Sequence, residues 1–146
     1  MKNGYTEYKS NQIETADARQ LVVMLYEGAI KFIDNAYADI DNFKHYDKVN
    51  SNLLRAQDIL TELMLSLDME KGGEIADNLL NLYSYMKKTI LDANMKKDGS
   101  SLPHVINLLT ELKTAWQQID ISKVTISSIN NSVNEKSGKG GFVAQG

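Results

Sequence analysis

The feature that most narrows the folds open to this chain is where its helix breakers fall. The single proline is Pro103, and neither glycine nor proline interrupts residues 29–71 or residues 74–98. Proline removes a backbone donor and clashes with the turn before it, while glycine loses the most entropy when fixed in a helix. Long stretches free of both favour helices, and the apolar residues within them recur every three or four positions, the period of a helix with one buried face.

The first such pattern begins at Asp17-Ala18-Arg19-Gln20, which has the form of a capping box: an acceptor at the N-cap and a Gln three residues on. One apolar stripe then runs Leu21, Leu25, Gly28, Phe32, Ala36 and a second runs Val22, Tyr26, Ala29, Ile33, Tyr37, Ile40. Together they are wider than one core face requires. Asp41, Asn42 and Lys44 supply a polar turn. Helix two is marked by Val49, Leu53, Ala56, Leu60, Leu63 and Leu67, and is expected to stop at Lys71-Gly72-Gly73, where glycine readily takes a left-handed C-cap. Helix three carries Ile75, Leu79, Leu82, Met86, Ile90 and Ala93 and closes at Lys96-Lys97-Asp98-Gly99, with cations at the negative end of the helix dipole. Helix four takes Ser101 as N-cap and Pro103 in its first turn, where a missing N–H costs nothing. Its stripe is Leu102, Val105, Leu109, Leu112, Trp116 and Ile119.

Four helices of similar length with short links predict an all-α fold, an antiparallel up-down-up-down four-helix bundle. The bundle is expected over residues 16–119. Residues 1–15 hold Tyr5, Tyr8 and Ile13 among polar neighbours and form a segment expected to dock on it. Residues 120–146 are rich in Ser, Asn, Gly and Lys, alternate only weakly over Lys123 to Ile129, and have too little apolar content for a core of their own. They are expected to be a flexible tail.

At 146 residues, 42% of them hydrophobic, the chain suits one folded domain. It lacks cysteine, which excludes a disulfide framework and thiolate chemistry. The Met1-Lys2-Asn3-Gly4-Tyr5 start leads into no signal-like apolar run and no stretch reaches membrane-spanning length, so a cytoplasmic location is expected. A net charge of −3 offers no basic footprint for nucleic acid or an anionic membrane.

The chemistry-bearing residues are few. The two histidines are His45 and His104. A histidine phosphotransfer bundle would show His-x-x-Lys-Gly in mid-helix, whereas His45 is followed by Lys48 and then Val49, and His104 by neither residue. No Glu-x-x-His pair of the kind that builds di-metal bundles occurs, and the inward positions are aliphatic. Glu62 and Glu111 read as solvated surface. Gly138-Lys139-Gly140-Gly141 lacks the spacing and the flanking strand and helix of a phosphate loop. No catalytic residue, metal site or cofactor is expected, and the chain reads as a non-enzyme.

What the pattern leaves over is apolar surface. Tyr26, Tyr37, Tyr83 and Tyr85, with Tyr5 and Tyr8, offer apolar faces with polar tips, and Met24, Met64, Met69, Met86 and Met95 add adaptable ones. A groove lined by Leu, Met and Tyr receives an amphipathic helix from a partner. The residues expected to line it are Leu21, Met24, Leu25 and Tyr26, with Tyr83 and Met86 opposite, and Tyr5, Tyr8 and Ile13 lying over part of it until a partner arrives. An uncovered groove makes the free protein a monomer or a weak homodimer.

Several stretches resemble, in order, the FliS-type flagellin export chaperones of bacteria. They are Tyr5-Thr6-Glu7-Tyr8; Leu21-Val22-Val23-Met24-Leu25-Tyr26-Glu27-Gly28; and Asn52-Leu53-Leu54-Arg55-Ala56-Gln57 with Ile59, Leu63 and Leu67. Leu82-Tyr83-Ser84-Tyr85-Met86, Ala93-Asn94, Leu112 and Ala115-Trp116 follow. The chain departs from the family in having Ala18 and Gly4 where proline is frequent, and the tail after Asp120 has no counterpart. The resemblance implies a cytosolic chaperone that binds the disordered C-terminal segment of flagellin, prevents its premature polymerisation, and keeps it competent for flagellar type III secretion. It makes the flagellar export apparatus a candidate second partner. A generic helical adaptor for another amphipathic helix is the alternative.

Overall fold

The computed structural model describes residues 18–118. The expected segment 1–15, the Asp17 cap, Ile119 and the tail lie outside the described residues. Four helices make up the fold: α1 Ala18–Asp39, α2 Tyr46–Leu65, α3 Gly73–Lys96 and α4 Leu102–Gln117. A three-residue 3-10 turn, Phe43–His45, sits in the first link, where the Asn42 side chain accepts from the Lys44 backbone N–H. No strand occurs among the described residues, and the expected antiparallel bundle is what the chain forms.

Short links make sequential helices neighbours, so the ring runs α1, α2, α3, α4 and back to α1. α1 packs most closely against α2, then against α4; α3 leans on α2 and touches α4 least. The two stripes of α1 therefore have a use: one helix serves two neighbours, and most of its apolar width is spent on packing. Leu25, Tyr26, Ala29, Ile33, Ala36 and Ile40 are buried from it, against Val49, Leu53, Ala56, Ile59, Leu60 and Leu63 of α2 and Leu102, Val105, Leu109 and Leu112 of α4. Each fully buried Leu or Ile contributes about 1.5–3 kcal/mol relative to an exposed one. Ala29, Ala36 and Ala56 are fully enclosed and keep the helix surfaces low where they cross.

The helix ends depart from the sequence expectation in a consistent way. α2 stops at Leu65, short of Lys71-Gly72-Gly73, because local side-chain bonds compete with the helix. Ser66 Oγ donates to the Leu63 carbonyl at 2.7 Å, and the Asp68 carboxylate accepts from the Glu70 and Lys71 backbone N–H groups. The glycines instead open α3. Gly73 takes φ +56°, and a Cβ on Gly72 would stand 2.6 Å from the Ala76 Cβ. α3 ends at Lys96 as expected, but the left-handed residue is Lys97, at φ 51°. Its ammonium group donates to the Asn94 carbonyl and Oδ1, at 2.7 and 2.8 Å, closing the helix end with charge. Gly99 serves closeness: a Cβ there would fall 2.8 Å from Ile40 Cγ2 at the end of α1. Ser101 holds the N-cap position of α4 with Pro103 in the first turn, yet its side chain makes no cap bond.

Candidate partner-binding surface

Of the six described residues expected to line a groove, four face inward. Leu25, Tyr26, Tyr83 and Met86 are buried at 4, 0, 2 and 0% exposure. The side chains expected to line a groove between helices one and three at these four positions pack into the core. Those helices stand diagonally across the ring, with the core between them. The two tyrosines do meet, but inside: their hydroxyls share a hydrogen bond of 2.5 Å. The rings stand 6.5 Å apart at 45°, and the Trp116 indole N–H donates to Tyr26 from α4. Three helices are thus tied at one point, by the apolar stripe residue Trp116 and by two tyrosines whose polar tips suggest surface. The polar tips that suggest exposure are satisfied by one another, which removes the cost of burying them. Burial pushes the Tyr83 hydroxyl up to about 12, and burial together with the Tyr83 neighbour raises Tyr26 well above the usual tyrosine range.

Leu21 and Met24 remain half-buried at the surface. Their edge of α1 is the one that carries Phe32, whose ring lies under the Arg55 guanidinium of α2 at 5.7 Å. They therefore border the α1–α2 side of the bundle, near the end where residue 18 begins α1.

A second apolar surface lies between α3 and α4, and of its residues the sequence marks Tyr85 alone as surface. On α4, Lys113 points toward Glu27 of α1 at 3.9 Å, so the other edge of its buried stripe, with His104, Leu108 and Ala115, faces α3. On α3, Asn94 reaches Asn50 of α2 at 2.8 Å and Lys87 reaches Thr61 at 2.8 Å, leaving Leu82 and Tyr85 on the α4 side. The Tyr85 and His104 rings meet edge-on there with centroids 6.1 Å apart. Leu82 and Leu108 are half-buried against the core and Tyr85 is half-exposed. This is a shallow groove with an apolar floor and a ring pair across it, at the least packed junction of the bundle.

The outer flank of α2 and α3 exposes Leu54, Leu65 and Leu91. In contrast to these apolar surfaces, the described residues hold no cluster of three His, Cys, Asp or Glu side chains able to share a metal ion. No described helix is long and apolar enough to cross a membrane. What the arrangement offers chemically is apolar area on several sides of the bundle, with tyrosine and histidine for polar contact at its edges.

Comparison with known proteins places this architecture. The family model described as "Flagellar protein FliS" matches residues 1–123. The chain is 40% identical over 68 residues to the flagellar secretion chaperone FliS of Bacillus subtilis strain 168, covering 47% of this chain and 50% of that protein. It is 38% identical over 72 residues to the flagellar secretion chaperone FliS of Campylobacter jejuni strain 81116, covering 49% of this chain and 56% of that one. The alignments thus span about half the length of these curated relatives. A solved structure of a flagellar chaperone from bacteria shares the fold, with a TM-score of 0.64 at 20% identity, over 77% of this chain and 91% of that one. With its helices, their packing and a family match over most of its length in agreement, the chain belongs to the FliS family of flagellar proteins.

Proposed function

We propose that the protein is a cytoplasmic export chaperone that binds the C-terminal segment of flagellin, keeps it from polymerising too early and holds it ready for flagellar type III secretion. The observation that carries this reading is apolar surface left open on more than one side of a bundle that belongs to a flagellar family. An unfolded amphipathic segment finds its own kind in solution, and covering its apolar face blocks that. Folding on binding spends a few kcal/mol of contact energy on ordering the segment, so a large wrapped interface stays reversible.

Leu21 and Met24 make direct contact in this reading, as do Leu82, Tyr85 and Leu108 of the second groove. Leu25, Tyr26, Tyr83 and Met86 act from behind, holding the surface residues in place. Tyr5, Tyr8 and Ile13 of the N-terminal segment cover the Leu21 and Met24 side in the free protein and yield to the client. The export apparatus is the second partner of the loaded complex.

Calorimetric titration of the purified protein with a peptide of the C-terminal segment of flagellin, with helicity followed by circular dichroism, tests the reading. Saturable binding, a negative heat-capacity change and a gain of helix are expected. A well-folded protein that takes up no peptide would overturn it in favour of a helical adaptor for another client.

A further inference from the structure

We infer that the groove between α3 and α4 is occupied in the free protein by the chain's own residues 119–133, which the client must displace. The inference rests on the chaperone reading for its consequence, but its geometry stands on three separate observations. First, the groove has an apolar floor, Leu82 and Leu108, at the junction where two neighbouring helices touch least. Second, the described chain ends on one of the two helices that border it. α4 finishes at Gln117, whose carbonyl accepts from Arg19 at the start of α1, and Ala115 is the last groove-edge residue before it. The chain that follows is tethered one helix width from the groove and must reverse direction to enter it.

Third, the segment has the composition for it. Ile119, Ile121, Val124, Ile126, Ile129 and Val133 recur every two to four residues among Ser, Asn and Lys. That is too sparse for a core of its own and sufficient to lay side chains on an existing floor. An extended strand rises about 3.3 Å per residue against about 1.5 Å for a helix, so the eleven residues from Ile119 to Ile129 outreach the sixteen of α4. The family match ends at residue 123, inside this segment, so residues 124–133 lie beyond the matched region. A tethered segment competes at high effective concentration, which lowers the apparent affinity for a free client without altering any client contact.

The chain has no cysteine, so a single introduced one carries a label cleanly. In the 146-residue chain, His104→Cys labelled with a benzophenone maleimide should cross-link on irradiation to peptides within residues 119–133. Lys48→Cys, at the start of α2 away from the groove, should not. In parallel, the same chain carrying Ile121→Ser/Val124→Ser/Ile126→Ser/Ile129→Ser should bind the flagellin peptide about five-fold to twenty-fold more tightly than the parent. Cross-links absent at position 104, or equal from positions 104 and 48, overturn the inference, as does a variant that binds no more tightly than the parent. Should neither form bind the peptide, the flagellin reading fails, and the cross-link map alone decides whether the segment lies in the groove.

Discussion

The α1–α2 junction and the α3–α4 junction are built from the same residue types, yet one is closed and the other open. Along the first, alanines at 29, 36 and 56 let long helices settle together, and Phe32 is roofed by Arg55. Along the second, Leu82 and Leu108 are only half-covered and the contact across the top is a pair of accessible rings. The difference follows from which edges carry cross-links. α3 sends Asn94 and Lys87 to α2, and α4 sends Lys113 and Trp116 to α1, so each is drawn away from the other. A ring of four helices can be stable with one junction loose, and the loose one is free to serve a partner.

The sharpest way to break that contrast is to truncate one leucine in each. Leu53→Ala, in the closed half, leaves a cavity and should cost about 3 kcal/mol in urea unfolding, with client binding unchanged where the protein remains folded. The next largest effect concerns the point that ties the halves together. Tyr26→Phe orphans the Tyr83 hydroxyl in the core and should destabilise by roughly 1–3 kcal/mol. The double variant Tyr26→Phe/Tyr83→Phe should cost less than the sum of the two single changes, which a double-mutant cycle would measure.

A titration sharpens the same point. Both hydroxyls lose protons less readily in the folded protein than in the unfolded chain, so their contribution is complete below the unfolded tyrosine value near 10. It falls away as pH rises from there toward about 12, and urea midpoints should decline in that window in the parent and less in the double variant. The smallest effect on stability is expected in the open half. Leu108→Ala should change unfolding by no more than about 1 kcal/mol and yet weaken flagellin-peptide binding about five-fold, close to 1 kcal/mol. Equal destabilisation by Leu53→Ala and Leu108→Ala would dissolve the distinction between the two junctions.

Much of this was legible in the sequence, and the failures share a cause. Periodicity identifies Leu53, Ile90 and Leu109 as core because helical spacing is a property of one segment. Where helices end or face depends on what meets what. Ser66 and Asp68 terminate α2 through bonds to their own neighbourhood, which no apolar period registers. Tyr26 and Tyr83 resemble interface residues one at a time; only their meeting makes them core. The second groove is hidden in the sequence for the same reason, since Leu82 and Leu108 sit inside ordinary helical stripes and stay partly open only because their helices touch so little. Asn94 is buried and bonded to Asn50 and Lys97, an arrangement legible as a motif but not as a helix-end tie.

The bond from Trp116 to Tyr26 also makes the molecule its own optical gauge. Trp116 is the one tryptophan in the chain, and its indole N–H is committed to a hydroxyl on a different helix. Its emission colour therefore reports whether α4 is seated on α1. A client that only coats the outside should leave that colour in place, while one that pries the helices apart should shift it to the red.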